Sequence, residues 1–200
     1  MRLEAAPSSV ATVTPLRAVQ LVPVADGSIP AWCDAVVEEQ DRWLLLGPVS
    51  ADAGGDSGHW VRELARARTD DLIVDAATSE PARGGAVLMR RARPLRLLAV
   101  VRDLELEPDV REDWIRESLE TIVRLVARTP IRGVALPVLG GAKDPLAVER
   151  FAELLAAAVR FGPVARLRIA LQATPALTLR VARAMGEQAP ELGIECEGEG

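Results

Sequence analysis

The residues of this chain whose types and spacing could do chemistry lie in two short loops. The first is residues 139–145, LGGAKDP, where Gly140, Gly141 and Lys143 stand between an apolar run and a helix that Pro145 would begin. Backbone amides ahead of a helix can bind phosphate, and a lysine can add charge there. The Walker spacing Gly-x-x-x-x-Gly-Lys-Ser/Thr is absent, however. Two alternatives stay open: a turn that holds an anion, and a plain strand-to-helix turn.

The second loop, residues 47–58, has the sequence GPVSADAGGDSG and consists almost entirely of small residues. After a buried strand, such a loop is either a ligand cradle or a surface loop. The side chains in it that could form hydrogen bonds are Ser50, Asp52, Asp56 and Ser57. Two carboxylates without a third acid make a poor metal site, so we expect neither a metal nor a cofactor.

His59, the only histidine, could act as a general base only with an orienting partner and a nucleophile in reach. Ser50 and Ser57 are close in sequence, but the Gly-x-Ser-x-Gly pattern of serine hydrolases is absent. A lone histidine at a helix start is more often a surface or capping residue. Cys33 lies among apolar residues on a predicted helix, and we expect a small core residue there rather than a nucleophile.

The elements that must position these loops alternate between strand and helix along most of the chain. Apolar spacing predicts strands at 16–24, 43–46, 86–90, 95–101, 131–139 and 164–173, and helices at 28–40, 59–68, 109–128, 145–161 and 176–188. This alternation predicts a three-layer α/β/α sandwich with a mostly parallel mixed sheet. In such sheets ligands lie beyond the carboxyl ends of the strands, where both loops are expected.

Length and composition predict one domain of ordinary globular type. The chain has 200 residues, of which 49% are hydrophobic and 26% charged, and its net charge is −5. We assign 1–15 to a flexible arm, 16–190 to the domain and 191–200 to an acidic tail, in which 192–194 could form an edge strand. The acidic balance argues against nucleic-acid binding, and no apolar window is long enough to span a membrane. Two distant cysteines suit a reducing compartment, so we expect a cytoplasmic protein.

With both loops in view, the order of features resembles the macro domain, the ADP-ribose-binding α/β family. In that family a strand ends in an Asn-Ala-Ala-Asn motif, and a glycine-rich loop and a helix follow. The stretch WLLLGPVSADAGGDSGHWVRELA has the same layout. Gly47 falls near the first motif asparagine and Ser50 near the second, while Gly54 and Gly55 match the glycine-rich loop.

The stretch ALPVLGG resembles the strand before the family's second ligand loop. Gly140, Gly141 and Ala142 stand in place of its phosphate-cradling triplet, and Asp26 could match its adenine-binding aspartate. The resemblance therefore implies a ligand-binding set of Asp26, Gly47, Ser50, Gly54, Gly55, Asp56, Ser57, Gly140, Gly141 and Ala142.

The departures from the family pattern bear on function. Neither motif asparagine is present, the ribose-stacking aromatic of the second loop is missing, and that loop is shorter. We therefore expect a degenerate macro-like domain that acts as a non-catalytic interaction or regulatory module with a protein partner. The first alternative is binding of ADP-ribose or a related nucleotide through loops 47–58 and 139–145. The second is an ADP-ribosyl hydrolase that uses Asp52, Asp56 or His59.

Overall fold

The computed structural model describes residues 17–44, 81–106, 108–141 and 145–197. This part of the chain contains a seven-stranded sheet and three helices. In chain order the elements are β1 Arg17–Pro23, β2 Ala35–Asp41, β3 Val87–Arg90, β4 Leu95–Arg102, α1 Glu112–Arg128, β5 Gly133–Pro137, α2 Pro145–Phe161, β6 Arg166–Gln172, α3 Pro175–Gln188 and β7 Leu192–Cys196.

The sheet has the strand order β3-β4-β2-β5-β6-β1-β7. Only the edge strand β3 runs antiparallel to its neighbour, and all other pairings are parallel. The predicted α/β fold with a mostly parallel mixed sheet is therefore confirmed. Because six strands share one direction, their carboxyl ends meet along one side of the sheet. We call this side the carboxyl edge, and define it by segments 24–28, 42–44, 103–106 and 138–141, which follow β1, β2, β4 and β5.

The main core lies between one face of the sheet and the three helices. In α1 the buried residues recur at helical spacing: Ile115, Leu119, Ile122, Val123 and Val126. Every second side chain of a strand points toward the helices. Val37 of β2 belongs to this main core, whereas the neighbouring Val36 belongs to a smaller cluster on the other face of the sheet. Burying each such side chain contributes about 1.5–3 kcal/mol. The helix predicted at 59–68 lies outside the described residues.

The predicted helix at 28–40 is wrong, because residues 35–41 form β2 in the middle of the sheet. Cys33 is buried but precedes this strand rather than lying on a helix. The strand predicted at 43–46 is also wrong over its described residues, 43 and 44. Residues 42–44 form a turn, in which Leu44 has φ 58. Although the run Glu38 to Asp41 is polar throughout, every residue in it is buried.

The other elements agree with the sequence in type and differ at their ends. β5 covers only Gly133–Pro137 of the predicted 131–139, and α1 begins at Glu112 rather than 109. The later start follows from a bridge between Arg102 and Val110, which holds the preceding residues against β4. Residues 192–196 do not fray, since they form β7 and pair with β1 along the sheet edge. The expected arm at 1–15 lies outside the described residues, and no helix within the described ranges is long and apolar enough to cross a membrane.

Candidate functional site

The carboxyl edge brings together those predicted ligand residues that the structure describes. Asp26 follows β1, and Gly140 and Gly141 follow β5. β6 lies between these two strands, so the two turns are about 10 Å apart at the usual strand spacing. The remaining predicted ligand residues lie outside the described ranges: Gly47, Ser50, Gly54, Gly55, Asp56, Ser57 and Ala142.

The double-glycine turn has a backbone that other residues rarely adopt. Gly140 has φ 89 and Gly141 has φ 107, and the Gly141 N–H donates to the Val138 carbonyl at 3.2 Å. A Cβ atom at Gly140 would lie 2.9 Å from Ile115 Cδ1 on α1, whereas one at Gly141 would meet no atom of the described residues within 4 Å. The turn is therefore packed against the helix layer at its first glycine, and no described residue covers its second.

Glu39 of β2 connects this turn to the centre of the sheet. Its Oε2 accepts a hydrogen bond from the Gly140 N–H at 3.0 Å, and its Oε1 pairs with Arg102 at the end of β4. Glu39 is only 7% exposed, so water screens its charge poorly. Arg102 also donates to Asp109 Oδ2 at 2.6 Å. Burial opposes the charge of Arg102, but Glu39 and Asp109 outweigh this and raise the pKa of Arg102, so its guanidinium stays charged.

Two further carboxylates shape the turn after β2. Asp41, which is fully buried, accepts a hydrogen bond from the Trp43 N–H at 2.6 Å. Asp103, after β4, pairs with Arg42 at 3.1 Å. Together with Glu39, Asp109 and Arg102, these residues place four acidic and two basic groups at this part of the carboxyl edge. The described part of the edge therefore has more acidic than basic groups beside the turn for which phosphate binding is one of two alternatives.

Asp26 lies in a local turn of its own. Its Oδ1 accepts a hydrogen bond from the Ser28 N–H at 2.9 Å, and this bond lowers the pKa of the carboxyl. The side chain is exposed, so it stays ionised near neutral pH and is open to a ligand donor group. Asp26 can thus accept a hydrogen bond from a donor group; its role in binding adenine stays a prediction.

Sequence reasoning missed Glu39, Asp41 and Arg102. The signal that could have found them is the order of residues, since the apolar run AVV is followed at once by EEQD and only then by the glycine-rich segment. Polar side chains that begin where a buried parallel strand ends are typical of a ligand edge. The resemblance instead placed the motif strand at 43–46, where residues 43–44 form a turn.

Nucleophilic and metal chemistry find no support in the described part of the chain. Burial raises the pKa of the Cys33 thiol to about 11, so this cysteine is not a nucleophile at neutral pH. No group of three or more His, Cys, Asp or Glu side chains within the described ranges could hold a metal ion. Asp52, Asp56 and His59, the candidates for hydrolysis, lie outside those ranges.

No family model matches the sequence, and no curated protein matches it. Solved structures do match. The macrodomain of Thermus aquaticus DarG has a TM-score of 0.51 at 16% identity, and the match covers 76% of this chain and 97% of that one. An Oceanobacillus iheyensis macrodomain mutant with ADPR has a TM-score of 0.51 at 16% identity, with 85% and 91% covered. A Trypanosoma brucei macrodomain in complex with ADP has a TM-score of 0.52 at 15% identity, with 86% and 70% covered.

This chain therefore has the macrodomain fold. The resemblance drawn from the order of its motifs is confirmed at the level of the fold. At such low identity the likeness establishes the fold alone, because ligand and activity depend on the side chains of the site.

Proposed function

We propose that this chain is a non-catalytic binding module whose ligand is ADP-ribose or a related adenine nucleotide. The observation that carries the proposal is the Gly140-Gly141 turn, which no described residue covers at Gly141 and which lies on the same carboxyl edge as Asp26. In an open parallel sheet this edge is where ligands bind. The fold supports the ligand class, since one neighbour was solved with ADPR and another with ADP.

The absence of catalysis rests on the side chains at the edge. β2 is the strand before the glycine-rich segment, so the family's motif would fall on Glu38 to Asp41 rather than on Gly47 and Ser50. The whole sequence contains no asparagine, and no residue can supply the amide that the motif uses to position ribose and water. Glu39 is held by Arg102, and Asp103 by Arg42, so neither carboxylate is placed as a free general base.

A second candidate is a protein-interaction module that binds no nucleotide. Two observations favour it. The Gly140 N–H already donates to Glu39 and is not available to a phosphate. Leu104 and Leu106, which follow β4 at the carboxyl edge, are 53% and 45% exposed. Exposed apolar side chains near a polar rim are typical of a protein contact surface. A protein partner, like a cytoplasmic location, remains a prediction.

Isothermal titration with ADP-ribose separates the two candidates. Nucleotide binding predicts saturable heat for the wild type, and Gly141→Glu should abolish it because a carboxylate would face the diphosphate. Gly141→Ala is the matched control, since it imposes the same backbone strain without a charge and should retain binding. Absence of heat at millimolar ADP-ribose would remove the first candidate. Equal affinity of the wild type and Gly141→Glu would show that the turn is not the ligand site.

Catalysis is tested separately by incubating the protein with an ADP-ribosylated peptide and measuring release of ADP-ribose. We expect no release above the uncatalysed rate. Turnover that disappears in Asp56→Ala or His59→Ala would overturn the non-catalytic proposal and favour the hydrolase alternative.

A further inference from the structure

We propose that Glu39 is an internal anion that sets the ligand specificity of the carboxyl edge by disfavouring phosphate groups at the Gly140-Gly141 turn. This inference deepens the proposed function and rests on it, because it concerns the same site. It predicts that the site accepts the nucleoside part of a ligand more readily than its diphosphate. Loss of the Glu39 charge should then increase the affinity for anionic ligands.

The first step is that Glu39 already occupies the place of an anion. A backbone N–H at a glycine turn is the group that holds a phosphate oxygen in many proteins. Here the Gly140 N–H donates to Glu39 Oε2 at 3.0 Å. The other carboxylate oxygen is held by Arg102, so the side chain is fixed from both sides. A ligand phosphate would have to displace this carboxylate or bind beside it.

The second step is that the charge acts at close range and with little screening. Glu39 is 7% exposed, and Arg102, its counter-charge, is shared with Asp109 at 2.6 Å. Glu39, Arg102 and Asp109 therefore carry one net negative charge between them. A unit charge within about 10 Å of a phosphate, at an effective dielectric constant near 20, changes affinity by about tenfold or more.

Glu39→Gln is the variant that removes the charge at nearly unchanged volume. Its amide has a single acceptor oxygen, so it cannot keep both the Gly140 and the Arg102 hydrogen bonds. The matched control is Glu38→Gln. Glu38 is the preceding residue of β2, is also buried and pairs with Arg96 at 2.8 Å, but its side chain faces the other side of the sheet.

The experiment titrates three probes into the wild type and both variants: ADP-ribose, adenosine and inorganic diphosphate. Glu39→Gln should bind ADP-ribose and inorganic diphosphate about tenfold more tightly than the wild type and leave adenosine affinity unchanged. Glu38→Gln should change each anion affinity clearly less than Glu39→Gln does, because its carboxylate lies on the opposite face of the sheet and farther from the turn. Thermal unfolding of each variant verifies that it is folded.

The outcomes separate this inference from the proposed function. If the wild type binds ADP-ribose and Glu39→Gln binds it equally, the inference is overturned and the proposed function stands. If only Glu39→Gln binds, the inference is supported and nucleotide binding by the wild type is refuted. If neither binds, both are overturned.

The wild type alone provides a further test, which holds even if Glu39→Gln does not fold. Repulsion at the turn predicts that ADP-ribose binds no more than about tenfold more tightly than adenosine. A wild-type preference for ADP-ribose of a hundredfold or more would show that the diphosphate is bound favourably beside Glu39, and would overturn the inference.

Discussion

A series of three glycine-to-alanine variants tests how the carboxyl edge is built. Gly140 and Gly141 both have positive φ, but among the described elements only Gly140 has a close packing neighbour. Gly186 lies within α3, where an added Cβ would meet no atom within 4 Å in the part of the chain that the structure describes. Gly141→Ala thus tests backbone strain alone, Gly140→Ala tests backbone strain together with a steric clash, and Gly186→Ala tests helix propensity.

The expected magnitudes follow from these contacts. Gly141→Ala should cost about 1–3 kcal/mol in the free energy of unfolding, the usual cost of a non-glycine residue in such a conformation. Gly140→Ala should cost about 1–3 kcal/mol more, because its Cβ would lie 2.9 Å from Ile115 Cδ1 and 3.3 Å from Val110 Cγ1. Gly186→Ala should stabilise by about 0.5–1 kcal/mol, since alanine favours the helix and lowers the entropy of the unfolded chain.

Urea unfolding monitored by tryptophan fluorescence measures all three, and thermal melts provide a second observable. For a domain of this size each kcal/mol corresponds to about 2–4 °C in Tm. We expect the order Gly186→Ala, wild type, Gly141→Ala, Gly140→Ala from most to least stable. If Gly140→Ala and Gly141→Ala are equally stable, the turn is not packed against α1. If Gly141→Ala matches the wild type, the left-handed turn is not present in solution.

Three further predictions concern ion pairs and a thiol. Arg102→Met should lower the free energy of unfolding, measured in urea, by about 3–5 kcal/mol, because it leaves Glu39 buried without its counter-charge. Adding Glu39→Gln to this variant should recover part of the loss. If the double variant is no more stable than Arg102→Met, the pairing is refuted. The side-chain hydrogen bond from Arg132 lowers the pKa of Asp34, so this stabilisation is present above about pH 4 and is lost as pH falls through the lowered value. Asp34→Asn should therefore melt below the wild type at pH 7 and approach it well below pH 4; a gap that does not depend on pH would contradict this. Burial raises the pKa of Cys33 to about 11. This thiol should therefore react with a disulfide reagent at pH 8 only when the protein unfolds. Rapid labelling of the native protein would show instead that the thiol is accessible.

The elements that sequence alone predicted are those whose pattern is local. α1, α2 and α3 were found because each has an apolar stripe at helical spacing, flanked in two cases by a proline at the first turn. Strands β1, β4 and β6 were found because their apolar runs are bounded by turn residues. Errors at their ends arise where a contact with another strand, such as the Arg102–Val110 bridge, determines the boundary.

β2 was not found because its polar end is stabilised by residues far away in the sequence. Glu39 pairs with Arg102, 63 residues further on, and Glu38 pairs with Arg96. A run of four polar residues predicts a solvated surface unless its partners are known. The burial of these side chains is therefore a property of the strand order, which places β4 beside β2.

The candidate site also has features that the sequence determines and features that only the tertiary structure determines. The sequence by itself determined the α/β class, the glycines of the second turn and the absence of asparagine, since each depends on residue type and local spacing alone. Only the tertiary structure decided that Glu39 accepts the hydrogen bond of the Gly140 N–H. It also decided that Asp26 lies on the same edge as Gly140, two strands away in the sheet. Those relations depend on long-range strand pairing, which joins segments about 100 residues apart and leaves no local pattern in the sequence.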